Sequence, residues 1–415
     1  MSTPGTPLSF RDVLQLKPIR RLWIAQMVSV FGDFLAVFAI IALVTFKLHG
    51  TATQVGLVLV AFMAPFAVVS PIAGVFVDRW NLKSTLIASD LIRGVMVLSL
   101  LLVNDIYVMY AVLFVMSVVS SFFVPAQSVA VRTLAPMNGL LAVNGLMSQA
   151  QQGSMILAPS VAGELVQVVG ANSCFVFDSL SFFFSAALVM TLTIERPAAA
   201  PAAARAGGGL AAVRHSMAQG FRFIFTHPTL SFVIVSMTSG MFAMRCFGAL
   251  LSVYVRDILN STSAAFGVLN TVIGVGMIIS TQFLTRIGRK VPPQNLVVYG
   301  LGGMGIAVLV TAVFGAMGST AAGMLMMGGS AAAIFIPAQT LLQHETPQEM
   351  LGRVMSSLMS LVAGAQVAAM LVAAPVAQFA GIRTLYFASA AMLLLISLIG
   401  YWKVPETAAA VQAAR

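Results

Sequence analysis

The sequence predicts an all-α membrane protein with twelve transmembrane helices, arranged as two parallel-related halves of six. Three observations carry that expectation. Of 415 residues, 59% are hydrophobic and only 8% charged, against roughly 45–50% and about 25% in ordinary soluble domains. The apolar residues gather into runs long enough to cross a bilayer, which takes about 20 residues each. Short sequence elements also recur at one fixed offset. A soluble body of this size could not coat itself with so few charged side chains, so a soluble globular protein is excluded.

Taken in order, apolar runs broken by Pro, Gly and charge clusters place helices at about 22–46, 54–77, 84–103, 106–131, 139–168 and 171–194. The series resumes at about 229–255, 264–285, 295–317, 320–343, 353–380 and 382–403. The first run is too long for the apolar core of a signal peptide and reads as a retained first helix. The expected organisation is a first half at 1–194, a cytoplasmic connection at 195–228 and a second half at 229–415. Within the connection, the Ala/Pro/Gly tract 197–209 reads as a flexible linker. After it Leu210, Val213, Met217, Phe221, Ile224 and Phe225 recur at helical spacing with Arg214 and Arg222 between them. This is either an interfacial helix on the cytoplasmic surface or the start of the seventh helix.

The positions of the cations fix the orientation. With the N-terminus inside, 17 Lys and Arg residues fall in cytoplasmic segments and three, Lys47, Arg256 and Arg383, in outer loops. By the positive-inside rule both termini are cytoplasmic, and the net charge of +10 needs no nucleic acid to explain it. A multi-pass protein of a bacterial inner membrane is expected. Cys174 and Cys246 both lie inside apolar runs, with no spacing for a disulfide framework, redox pair or metal site, and read as small core residues.

The repeat has an offset of 212 residues. Val124-Pro125-Ala126-Gln127 returns as Ile336-Pro337-Ala338-Gln339, and Leu146-Met147-Ser148 as Leu358-Met359-Ser360. Each pair falls at the same place in its six-helix half, as parallel repeats require.

The stretch Gly74-Val-Phe-Val-Asp78-Arg79-Trp-Asn81-Leu-Lys83 sits where the second helix meets the cytoplasm. It resembles the major facilitator signature between helices two and three, Gly-x-x-x-Asp-Arg-x-Gly-x-Arg/Lys, with Asn81 where that family has glycine. Its glycine permits close helix approach, and its acid is placed to accept from a neighbouring helix N-terminus. The resemblance implies a conformational gate made by Gly74, Asp78, Arg79 and Lys83. In the fifth helix Gly145, Ser154, Ala158-Pro159 and Ala162-Gly163 resemble the glycine/proline motif of proton-coupled exporters, so Gly145, Pro159 and Gly163 are its candidate positions. Small residues there allow close packing and Pro159 bends the helix; packing without any antiport meaning is the other reading. Asp90, Val124-Pro125-Ala126, Val143-Asn144-Gly145 and Asp178-Ser-Leu-Ser-Phe182 add a similarity to macrolide-efflux drug:proton antiporters and enterobactin exporters. The fourth helix lacks the intramembrane arginine that many proton antiporters carry, Arg132 lying at its cytoplasmic end.

Charges at membrane depth are costly and are usually paired or functional. Asp33 lies near the middle of the first helix, and 212 residues later Arg245 lies near the middle of the seventh. This pair is the candidate for proton coupling, because an acid that loses its cation in an apolar site takes up a proton; a permanent salt bridge is the alternative. Asp90 and Arg93, one turn apart, read as local neutralisation, and Asp178 joins them as a further intramembrane charge. Gln149, Gln152 and Gln366 are candidate cavity residues for hydrogen-bonding a substrate, or else interhelical ties. Met237, Met241 and Met244 beside Arg245 read as ordinary packing, the alternative being a flexible, polarizable surface for loosely selected substrates.

No phosphate-binding Gly-x-x-x-x-Gly-Lys-Ser/Thr loop or nucleophile elbow is present, and His344-Glu345 lacks a second histidine at ligand spacing. Neither an enzyme, a cofactor nor a metal site is expected. The resemblance implies a secondary active exporter of a small, moderately hydrophobic molecule such as a drug, siderophore or metabolite. It would work by proton antiport and alternating access, with substrate, protons and membrane lipid as its partners. A lysophospholipid flippase-type transporter and a non-transporting sensor or scaffold are the alternatives.

Overall fold

In the computed structural model, residues 8–77, 80–102, 105–194, 219, 221–287 and 291–413 are described. A short helix, α1 (Phe10–Gln15), precedes six long ones: α2 (Lys17–Ala42), α3 (Ala52–Val77), α4 (Leu82–Ser99), α5 (Ile106–Leu134), α6 (Leu140–Val168) and α7 (Ala171–Met190). Six more follow: α8 (Pro228–Asp257), α9 (Ser263–Ile287), α10 (Pro293–Phe314), α11 (Met317–Glu345), α12 (Gln348–Ala380) and α13 (Ile382–Ala413). α2 runs on as a π-helical turn, Leu43–Lys47. The twelve long helices are those expected, and ten are long and apolar enough over their described residues to cross a membrane. α3 falls short on described length, and α6, which carries Gln149, Gln151 and Gln152, is not among the ten.

Local chemistry explains the ends. The Ser9 hydroxyl accepts from the Asp12 amide while the Asp12 carboxylate accepts from the Ser9 amide at 3.0 Å, a reciprocal cap that starts α1. Pro18 in the first turn of α2 restarts the chain as a helix. Asn81 accepts from the Ser84 amide at 3.0 Å and so caps α4, which gives this residue a use at the place where the family signature has glycine. Asp105 does the same for α5 through the Tyr107 amide at 2.7 Å.

The chain divides into two compact units, 1–199 with 261–268 and 200–260 with 269–415. In the first, α2 packs on α6 and α7, α3 on α5, and α4 on α5 and α7. In the second, α8 packs on α12 and α13, α10 on α11 and α13, and α9 lies against α11 where Gly276 meets the Leu325 backbone. These are the same pairings, helix for helix. The repeat extends to prolines, with Pro125 and Pro337 inside α5 and α11, and Pro159 and Pro375 inside α6 and α12. It extends also to the glycine that precedes the last helix of each half. Gly170 between α6 and α7 has φ 98° and ψ 160°, and Gly381 between α12 and α13 has φ 87° and ψ 154°, a region of the map that only glycine enters readily.

One helix, α4, is turned inside out relative to a soluble one. On α4, Leu91, Ile92, Val95 and Leu98 are exposed, while Asp90 and Arg93 are buried. Lipid covers the apolar face and the bundle interior holds the charges. Two clusters close the first unit: Val13, Ile19, Leu22, Val143 and Leu146 at one level, and Val77, Leu86, Phe123, Ala126 and Val189 at another.

Candidate functional site

The inward face of α4 carries Arg93 into the middle of the first unit. Its guanidinium is committed on every edge. Nη2 donates to Asp90 Oδ1 at 2.5 Å, Nη1 reaches Asp33 Oδ2 on α2 at 3.5 Å, and Nε donates to the Ser89 carbonyl at 3.3 Å. Both faces of the guanidinium are covered too, by the rings of Phe123 at 4.4 Å and Phe182 at 4.3 Å to the centroids. Aromatic faces attract a desolvated cation by about 2 kcal/mol or more, and the flat guanidinium suits stacking where an ammonium would not. The i,i+3 pair expected from sequence is present, as one edge of a three-helix cluster.

The acids differ in their surroundings. Asp90 is fully buried and its second oxygen accepts from the Ser185 hydroxyl of α7 at 2.7 Å. Asp33 keeps 21% side-chain exposure against 3% for Arg93, and its contact with the cation is the longer one. Asp178, on α7, is fully buried. Its Oδ1 lies 3.4 Å from the Ser181 hydroxyl and rests on Gly32, the residue before Asp33, where any Cβ would collide with it. Its Oδ2 has no hydrogen-bond partner.

Asp33 and Arg93 open onto a cavity of about 250 Å³ within the first unit, lined also by Gln26, Ser29, Ser117, Ser120, Phe123 and Gln151. Gln26 Oε1 and Ser117 Oγ are buried there without a partner. Buried polar groups normally have one, so these two are available to water or to a bound molecule. Gln149 and Gln152 are exposed and lie outside this lining, whereas Gln151 and Gln26, which sequence reading missed, lie in it. Gln26 shares a face with Ser29 and Asp33 at i, i+3 and i+7 spacing, a signal present in the sequence, whereas Gln151 joins them only through the packing of α6 on α2.

In the second unit the Arg245 Nε donates to Gln366 Oε1 at 2.8 Å, tying α8 to α12. Gln366, read from sequence as a substrate contact or else an interhelical tie, is engaged by that guanidinium. Beside it an aromatic run of Phe247, Tyr386 and Tyr254 stacks at 4.7 and 5.5 Å, with the Tyr254 hydroxyl donating to the Thr311 carbonyl at 2.7 Å.

Of the remaining expected positions, Gly145 is packed by Phe10 of α1 and Pro159 is buried in α6. The Gly163 carbonyl accepts from the Ser263 hydroxyl at 3.0 Å, and its bare Cα lets that segment in. Asp78 and Arg79 lie outside the described residues, as do the surroundings of Gly74; Lys83 is half-buried in the first turn of α4. The expected interfacial helix also falls largely on residues 195–218 and 220, outside the described set, although 221–226 is helical. Among the described residues no group of His, Cys, Asp or Glu could hold a metal ion.

A family model described as Major Facilitator Superfamily matches residues 22–370. An uncharacterised MFS-type transporter of Bacillus subtilis, YfiS, is 25% identical over 395 residues, 92% of each chain. Macrolide efflux protein A of Streptococcus pyogenes is 23% identical over 385 residues, 91% of this chain and 94% of that one. Among solved structures, a POT family transporter in complex with a thioalcohol-conjugated peptide superposes with a TM-score of 0.71 at 11% identity, over 94% of this chain and 96% of that one. At that identity the likeness is one of fold.

Proposed function

The chain belongs to the Major Facilitator Superfamily, and from that premise we propose that this transporter is a proton-coupled exporter of small, moderately hydrophobic molecules. The observation that carries the reading is the cavity with Asp33 on its wall. A carboxylate at membrane depth whose one cation stands 3.5 Å away and is shared with Asp90 is held loosely enough to let that cation go. Taking up a proton removes the charge that binds Asp33 to Arg93, and releasing it restores the pair. Binding of substrate and proton at one wall then makes each compete with the other, which is the requirement for exchange.

In this reading Gln26, Ser29, Ser117, Ser120 and Gln151 offer hydrogen bonds beside the Asp33–Arg93 pair, and Phe34, Phe62, Met63 and Phe123 offer apolar surface, a mixed wall for amphipathic molecules such as the macrolides named for the streptococcal relative. Gly74, Asp78, Arg79 and Lys83 form the cytoplasmic gate, and Gly145, Pro159 and Gly163 give α6 the close packing and bend that a moving helix needs. Arg245 with Gln366 is the counterpart in the second half through which alternation is felt. The halves 1–194 and 229–415 alternate in a bacterial cytoplasmic membrane with both termini inside.

The test is uptake of erythromycin and a panel of lipophilic antibiotics into inside-out vesicles. Uptake driven by an imposed pH gradient, abolished by collapsing it and lost in Asp33→Asn at matched protein level, is expected. Uptake indifferent to the gradient would overturn proton antiport.

A further inference from the structure

The cluster in the first unit does not balance. Three carboxyls, Asp33, Asp90 and Asp178, share the guanidinium of Arg93. All three of its nitrogens are already engaged, by Asp90, Asp33 and the Ser89 carbonyl, and both its faces are covered by Phe123 and Phe182. The groups packed against Asp178 offer no further cation. From α2 it meets Gly32 beside Asp33; α4 presents Asp90 and Arg93; its own helix presents Cys174 one turn back and Ser181 one turn on. With every carboxyl ionised the cluster would hold two net negative charges, although Asp90 and Asp178 are fully buried and only Asp33 touches the cavity. That is not sustainable at membrane depth. Asp90 is neutralised by its short pair with Arg93 and by Ser185, and Asp33 is the acid that keeps contact with the cavity. Asp178, fully buried with Oδ2 unpartnered, is the remaining place for a proton.

We propose that Asp178 is a proton-storage site: its carboxyl is held as the neutral acid while Asp33 is paired with Arg93, and the two acids, separated by the bare Cα of Gly32, share one exchangeable proton. When the O–H bond of Asp178 breaks, one forms on Asp33, and Asp33 lets go of Arg93; no other reactant is consumed. Two carboxyls crowded into one site titrate as a pair rather than singly. Gly32 is a positioning residue, because a side chain there would push the Asp178 carboxyl away. The inference rests on the proton-antiport reading above, and deepens it by naming where the proton waits.

The experiment is infrared spectroscopy of the full-length protein in lipid nanodiscs at neutral pH, without substrate. A protonated-carboxyl C=O band that shifts in deuterated water is expected in the wild type. It should be lost in Asp178→Asn, which copies the shape of the neutral acid, and retained in Asp33→Asn. Should Asp178→Asn fail to insert, Asp178→Glu must move the band instead. A band that survives Asp178→Asn, that Asp178→Glu leaves in place, or that Asp33→Asn alone abolishes would overturn the storage site. Because this readout needs no transport, its failure is separable from that of antiport. Proton-driven uptake with no Asp178 band sinks only the storage site, and an Asp178 band without proton-driven uptake sinks only the exchange.

Discussion

The two halves share a scaffold and differ in chemistry. Their helices pair in the same order, their prolines fall inside the same helices and their last two helices meet at a left-handed glycine, Gly170 or Gly381. Yet α2–α7 enclose Asp33, Asp90, Arg93 and Asp178, whereas the acids of the second half, Asp257, Glu345, Glu349 and Glu406, lie at or near helix ends or beyond the apolar run. There the intramembrane cation Arg245 donates to a neutral amide, Gln366. Duplication preserved what packing requires. Titratable chemistry, which packing does not require, is gathered in one half.

The sharpest way to break this comparison is to remove each arginine. Arg93→Gln leaves the buried Asp90 without its cation, a loss of about 3–5 kcal/mol, expected as a large drop in thermal stability of the purified protein. Arg245→Gln gives up one charged hydrogen bond, about 1.5–3 kcal/mol. Equal losses would show that the charge asymmetry has no energetic counterpart.

Coupling sharpens it further. A double-mutant cycle of Asp33→Asn with Arg93→Gln, read on transport, is expected to depart from additivity by about 0.5–3 kcal/mol. The parallel cycle of Asp33→Asn with Arg245→Gln asks whether the 212-residue offset joins the halves. Additivity within about 0.5 kcal/mol there would confine coupling to the first half.

The glycine junctions should behave alike. Gly170→Ala and Gly381→Ala both meet open space, so each costs only the backbone strain of an L-residue at positive φ, about 1–3 kcal/mol. A marked difference in stability between these variants would mean the repeat is not mechanical. The smallest effect belongs to α1. Hydrogen bonds from the Ser9 hydroxyl and amide hold the exposed Asp12 carboxyl below its ordinary value. Its contribution is therefore present above the ordinary carboxylate range and fades as pH falls through the lowered value. The hydrogen-exchange protection factor over α1, with the intrinsic rate divided out, should fall slightly in acid and be independent of pH in Asp12→Asn.

The number of long helices, their order and the Pro125/Pro337 correspondence were legible because they follow from apolar run length and a Pro-Ala-Gln stretch that recurs at one offset, whereas Pro159 and Pro375 stand 216 residues apart and escape that offset. α1 was not legible, although Ser9-x-x-Asp12 carries its cap, because six residues make no apolar run. The glycine junctions recur at 211 residues rather than 212, and so escape a search at one offset. Asp90 and Arg93 were legible as neighbours because i,i+3 spacing is local geometry. That Arg93 also reaches Asp33, 60 residues away, and that Asp178 rests on Gly32, depend on how α2, α4 and α7 pack. The choice of Gln151 over Gln149 and Gln152 depends likewise on the rotation of α6.

Central to all of this is that Asp33 exchanges a proton for substrate. The direct measurement is proton movement in proteoliposomes carrying a trapped pH indicator, started by an erythromycin gradient. The wild type is expected to move protons against the flow of drug, and Asp33→Asn, reconstituted at equal density, to move none. An Asp33→Asn protein that moves protons as the wild type does would contradict it.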